Sequence, residues 1–264
     1  MAFRTFLSAL GINAPQVETV LDREAVRPGE KLTVVVTLRG GADVLVERLK
    51  LDVVGRFEDS EPDETGWANP GVILSWTEEG PFALAAGKER VRDVDFELPW
   101  EMPLTHVLGG RRLKGARVAV RTELAIDNSV DRGDFDEFSV HALAPQDVVL
   151  QAYADLGFRF DEAELKKGTP GSAVASRVGF WQEIELWFPA EYGSIGGLGI
   201  AFNAREDSLD LLTGGSGGLT FSYDDLDPEQ VRARLDAHYR ERFLPAWSEI
   251  PAGAMPSGVR PGEG

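Results

Sequence analysis

The chain has 264 residues, 43% of them hydrophobic, enough for one large domain or two ordinary ones with real cores. Asp and Glu outnumber Lys and Arg by 44 − 27 = 17, a surface that repels nucleic-acid phosphates and anionic lipid alike. Cysteine is absent, which excludes a disulfide scaffold, a thiol nucleophile and a cysteine metal site, and fits a reducing, cytoplasmic setting.

In chain order, the first predicted element is a short amphipathic helix over residues 2–11. Phe3, Phe6, Leu7 and Leu10 repeat at i, i+3, i+4 and i+7, and Gly11 is a stop. This face is expected to dock on the sheets that follow. The sharper alternative is a handle for a partner helix or a membrane interface, although a single Arg is a weak membrane signal. The segment lacks the long apolar region and small-residue cleavage site of a signal peptide. No run in the chain approaches the roughly 18 apolar residues of a membrane span.

Residues 17–58 organise the rest. Leu32, Val34, Val36 and Leu38 alternate with Thr33, Val35, Thr37 and Arg39, and Leu49, Leu51, Val53 and Phe57 alternate with Lys50, Asp52, Val54 and Arg56. Period two with β-branched residues predicts strands with one buried face. Arg27-Pro28-Gly29-Glu30 has the chemistry of a type II turn, with Pro second and Gly third. Gly40-Gly41 predicts a second tight turn, of hairpin kind. The acidic stretch 58–64 lacks EF-hand spacing and reads as a solvated loop.

Further strands are predicted at 72–79, 91–98, 117–127 and 135–140. The prolines of LPWEMP, 98–103, end the second of these. Seven strands within the first 140 residues or so need two facing layers, because a single sheet would leave its apolar face wet. The expected solution is a β-sandwich of immunoglobulin-like type.

Residues 141–146 form a joint, after which the pattern restarts. A short helix over 147–155 ends at Gly157, followed by strands from 158, over 180–189, and at 197–203, 208–212 and 219–223. The glycines around 214–218 read as a turn. They are followed by neither a helix nor a Lys, so they are no phosphate cradle. Asp227-Pro228-Glu229-Gln230 opens a last helix, with Asp as N-cap and Pro at its first position. Val231, Leu235, His238, Tyr239 and Phe243 form its packing stripe. Arg232, Arg234, Arg240 and Arg242 concentrate positive charge on an acidic chain, either to pair with nearby carboxylates or to meet an acidic partner, Arg232 and Arg240 being the candidates. A loose tail is expected from residue 248.

The search for chemistry is negative. His106, His141 and His238 lack metal-ligand spacing, so no metal site is expected, and no cofactor motif is present. There is no GxSxG elbow. Carboxylate pairs are too numerous for one to be singled out as catalytic. Trp181, Glu183, Glu185 and Trp187 differ, because they share one face of a strand, opposite Gln182, Ile184, Leu186 and Phe188. They could form a sugar-binding face, with the mixed outer face of a second core as the plainer reading. No enzymatic activity is expected.

Taken together, FRTFLSALGI (3–12), VETVL (17–21) with RPGE (27–30), FELPWEMP (96–103), VRTELAIDNSVD (120–131), LGFRF (156–160) and WQEIELWFP (181–189) resemble, in order and spacing, the bacterial sporulation-control protein family, whose members have an arrestin-like fold. The resemblance spans about residues 3–225 and departs at GSIGGLG (193–199). It implies an all-β chain of two tandem immunoglobulin-like, arrestin-like β-sandwiches with short N-terminal and C-terminal helices. The expected units are residues 1–142, residues 146–247 and a tail, 248–264. It implies no catalytic residues and a cytoplasmic regulatory or scaffolding part. Protein partners would bind through sheet edges, the interdomain groove and the terminal helices, with a carbohydrate-binding β-sandwich as the alternative.

Overall fold

A computed structural model describes residues 14–57, 67, 70–126, 129–130, 135–170, 178–193, 196–214 and 217–243. The expected N-terminal helix with Phe3, Phe6, Leu7 and Leu10, the acidic loop and the tail lie outside these residues.

The first half runs β1 (Gln16–Leu21), β2 (Ala25–Val26), β3 (Lys31–Arg39), β4 (Val44–Gly55), β5 (Gly71–Leu84), β6 (Glu89–Glu97), β7 (His106–Val107), β8 (Arg111–Arg112), β9 (Val118–Ile126), β10 (Ser129–Val130), β11 (Phe135–Glu137) and β12 (Ser139–Val140). The second half runs α1 (Ala144–Asp155), β13 (Arg159–Lys167), β14 (Phe180–Trp187), β15 (Gly197–Ala204), β16 (Ser208–Thr213), β17 (Gly218–Ser222) and α2 (Pro228–Phe243).

The first half is a two-layer sandwich. One sheet has the order β1-β3-β6; the other has β10-β9-β4-β5, with β11 also on β9. The alternation read from the sequence is the one observed: Leu32, Val34, Val36 and Leu38 from one sheet and Leu49, Leu51 and Val53 from the other are fully buried in one core. Each such side chain contributes roughly 1.5–3 kcal/mol on burial. The RPGE turn forms as expected. Glu30 N–H donates to the Arg27 carbonyl at 3.1 Å, and Gly29 sits at φ +79° with Trp100 packed where a side chain would be.

Gly40-Gly41 is not a hairpin turn. β3 and β4 lie in different sheets, so this turn carries the chain from one layer to the other. Gly40 bonds instead to the β5–β6 turn, through Lys88 O at 3.0 Å and Gly87 N at 2.8 Å. A period-two pattern shows which face of a strand is buried, and is silent about which sheet the next strand joins.

Charge closes one side of the sandwich. Arg90 and Arg92 share the inward parity of Val94 on edge strand β6. Both bind Glu78, which points inward from edge strand β5. Inward-pointing charge on an edge strand also discourages edge-to-edge association.

The second half is one antiparallel sheet in strict order β13-β14-β15-β16-β17. The predicted strands are all present; the layer on their apolar face is helical. The Thr213 hydroxyl meets His238 of α2 at 2.8 Å, Arg234 lies 4.5 Å over the Phe221 ring, and Val231, Leu235 and Tyr239 complete the core. The apolar stripe of α2 thus finds its seat. Asp227 caps that helix by accepting from Gln230 N–H at 2.9 Å. α1 joins α2 through the buried Tyr153–Tyr239 hydroxyl pair at 2.7 Å. Burial, together with Tyr239, holds the Tyr153 hydroxyl well above the usual tyrosine range.

Candidate functional site

β1 is the edge of its sheet. Asp22 N–H donates to Thr33 O at 3.0 Å. In the β1–β3 register, the alternation of bonded and non-bonded pairs then places Val20 and Glu18 as bonded partners of Val35 and Thr37. The N–H and C=O groups of Val17, Thr19 and Leu21 therefore point away from β3. No strand among the described residues takes them up.

The edges at β13, β17, β5 and β6 are occupied or blunted. β13 is met by the first half, with Ala163 N–H on Lys114 O at 2.8 Å. On β17 the Thr220 carbonyl accepts from Arg234 at 3.1 Å. β5 carries Gly80-Pro81, and β5 and β6 carry the inward charges described above. On β1 the one acid, Glu18, is neutralised by Arg39 at 3.0 Å.

Beside β1 lies a cleft of about 560 Å³, walled by Thr19, Val20 and Leu21 on one side and by Phe135 to Ser139 on the other. The Thr19 hydroxyl meets the buried Thr122 hydroxyl of β9 at 2.8 Å, and Val20 is 47% exposed. Arg117, at the rim, bonds Glu137 and lies 4.5 Å over the Trp67 ring, and Arg112 stands 3.9 Å from the same carboxylate. His106 lines the cleft and stacks on His141, ring centroids 4.9 Å apart and planes within 8°. Burial, then His141 and Arg112, lower the affinity of His106 for a proton. Read along the chain these histidines look unrelated. Only the parallel bridge His106↔His141 brings them together.

The residues singled out in the second half fall in two groups. Trp181, Glu183, Glu185 and Trp187 do share one face of β14, while Phe180, Ile184 and Leu186 are buried on the other. Lys166 binds the Glu183 carboxylate and stands 5.8 Å from the Trp181 ring centroid. Trp187 is 40% exposed and donates its indole N–H to Asp161 at 3.0 Å. The α2 arginines have partners within the chain. Arg232 pairs with Glu229 at 2.6 Å, and Arg240 pairs with Asp236 at 2.8 Å and lies 5.4 Å over Tyr192.

Sequence reasoning missed the junction of the halves. The Gln182 amide bonds both main-chain groups of Leu104, and Gly55 and Gly115 approach Leu165 and Ala163 too closely for a side chain. A lone Gln at an inward position of a strand was the available signal. Among the described residues, no group of three or more His, Asp or Glu side chains is placed to hold a metal ion, and no helix is long and apolar enough to cross a membrane.

Comparisons of the sequence and of the fold point to the same family. The model of the Spo0M family, described as SpoOM protein, matches residues 3–213. The sporulation-control protein spo0M of Bacillus subtilis (strain 168) is 28% identical over 213 residues, which cover 80% of this chain and 78% of that protein. The crystal structure of Spo0M, sporulation control protein, from Bacillus subtilis superposes with a TM-score of 0.71 at 26% identity, covering 87% of this chain and 99% of that one.

Proposed function

The chain belongs to the Spo0M family, and from that membership we propose that it is a non-enzymatic regulatory scaffold of sporulation control, working in the cytoplasm. It binds protein partners through its sheet edges, the groove between its halves and its terminal helices. Residues 1–142 and 146–247 act as its two units, with 248–264 as a tail.

The observation that carries this reading is the edge of β1, which no strand among the described residues covers. Three residues present main-chain donors and acceptors to an added strand, and the cleft beside them can take that strand's inward side chains. Such recognition needs no catalytic constellation. The backbone supplies affinity and the cleft supplies selectivity.

Thr19 provides the test. Its N–H faces away from β3, so Thr19→Pro removes a donor from the open edge without breaking the β1–β3 ladder. Thr19→Val is the matched control, because it loses the same hydroxyl and keeps the N–H. Partners captured from the native cell by the wild type and by Thr19→Val, and lost by Thr19→Pro, support the reading. Equal capture by all three removes β1 from it.

A further inference from the structure

We propose that the face of the β13–β17 sheet turned away from α2 binds a neutral saccharide, stacked on Trp187 and hydrogen-bonded by Arg159 and Glu185. The site shares no residue with the β1 edge and stands independently of the scaffold reading.

Trp187 is 40% exposed, and its indole N–H donates to Asp161 at 3.0 Å. That bond holds the ring in place before any ligand arrives, which lowers the cost of ordering it on binding. An indole is a broad, rigid apolar surface, and the C–H face of a pyranose ring is flat enough to cover it. On β15, the partner in register of Trp187 is Gly197 and that of Glu185 is Gly199. Neither glycine raises a side chain beside the indole, so the sheet offers a flat floor there.

Donors and acceptors both remain unspent around this ring. On β13 the partner in register of Trp187 is Arg159, whose exposed side chain has no ion pair or hydrogen bond among the described residues. The Glu185 carboxylate has none either. Glu183 gives Oε2 to Lys166 and lays Oε1 over Gly199, where a Cβ would stand 2.0 Å from it. A guanidinium only donates and a carboxylate only accepts, whereas a hydroxyl does both. Sugar hydroxyls can therefore accept from Arg159 and donate to Glu185 or Glu183. An ion of either sign meets opposition: a cation faces Arg159, and an anion faces the carboxylates and a chain of net charge −17. Neutral, hydroxyl-bearing rings match the whole set.

The probes are cellohexaose, chitohexaose and mannohexaose, each titrated calorimetrically into the full chain up to millimolar concentration. At least one should bind saturably, with an affinity that salt leaves unchanged because the ligand carries no charge. Trp187→Ala should weaken that binding at least about tenfold, and Trp187→Phe should recover part of the loss. Arg159→Ala and Glu185→Ala should each weaken it about fivefold. Arg159→Ala removes no contact within the fold, so its effect reads the site alone. Asp93→Asn, on β6 in the other half, should leave binding unchanged. Binding of none of the three sugars would overturn the proposal, as would binding that Trp187→Ala or Arg159→Ala leaves intact. So would saturable, Trp187-dependent binding of the peptide Ac-Gly-Arg-Gly-Arg-Gly-NH2 in place of any sugar. None of these results bears on capture at β1, so the two readings fall separately.

Discussion

Gln182 closes both main-chain valences of Leu104: its amide nitrogen donates to the Leu104 carbonyl at 2.8 Å, and its amide oxygen accepts from the Leu104 N–H at 2.9 Å. One side chain of the second sheet thereby completes the backbone of the first half, at a point where no strand runs. The Phe57–Leu165–Phe180 cluster extends the same contact.

The first prediction concerns this clasp. Gln182→Ala strips two partners from a buried backbone segment, at a cost of at least about 2 kcal/mol. Denaturant unfolding should show that loss, and amide exchange should speed up first around residues 102–106. Gln182→Glu keeps the acceptor and loses the donor, so it should fall between wild type and alanine.

The second concerns Asp52, which is fully buried on the outer face of its sheet and bound by Lys50, Ser75 and Arg121. Burial raises its proton affinity, but those three hydrogen bonds outweigh it and hold the carboxyl below the usual aspartate range. A depressed folded value stabilises the protein above the unfolded value, about pH 4, and that contribution is lost as the pH falls through the folded value. Asp52→Asn should cost about 3 kcal/mol at pH 7. The gap between wild type and variant should narrow progressively below pH 4 in chemical denaturation.

The third compares two glycines of positive φ. Gly115, at φ +86°, would place a Cβ 2.7 Å from the Ala163 carbonyl oxygen, whereas Gly87, at φ +68°, has open space around it. Gly87→Ala should cost about 1 kcal/mol, from backbone conformation alone. Gly115→Ala carries the same conformational cost plus a clash with β13, and should cost at least about 2 kcal/mol. Thermal unfolding of the pair separates the two causes.

Particular elements show what the sequence could reveal. The inward rows of β3 and β4 were legible because alternation reports directly on which face is buried. Asp227 was legible as a cap because its partner lies three residues away. The sheet change at Gly40 was not, since it depends on where the next strand pairs. Arg90 and Arg92 share the inward parity of Val94, yet their partner Glu78 comes from the opposite sheet. The stacked histidines and the Gln182 clasp likewise depend on contacts between residues far apart in sequence. The open edge of β1 was foreseen only as one edge among several. Selecting it required seeing which others are capped by Arg234, met by Lys114 or closed by charge.

The most direct measurement compares the partners that the wild type, Thr19→Val and Thr19→Pro retain on quantitative affinity purification from the native cell. Thr19→Val and Thr19→Pro should unfold within about 1 kcal/mol of each other and about 1–3 kcal/mol below wild type, because both keep the β1–β3 ladder and both leave the buried Thr122 hydroxyl without Thr19. Thr19→Pro alone should lose the partners. Full retention by Thr19→Pro, at a stability equal to that of Thr19→Val, would contradict recognition by strand addition at β1.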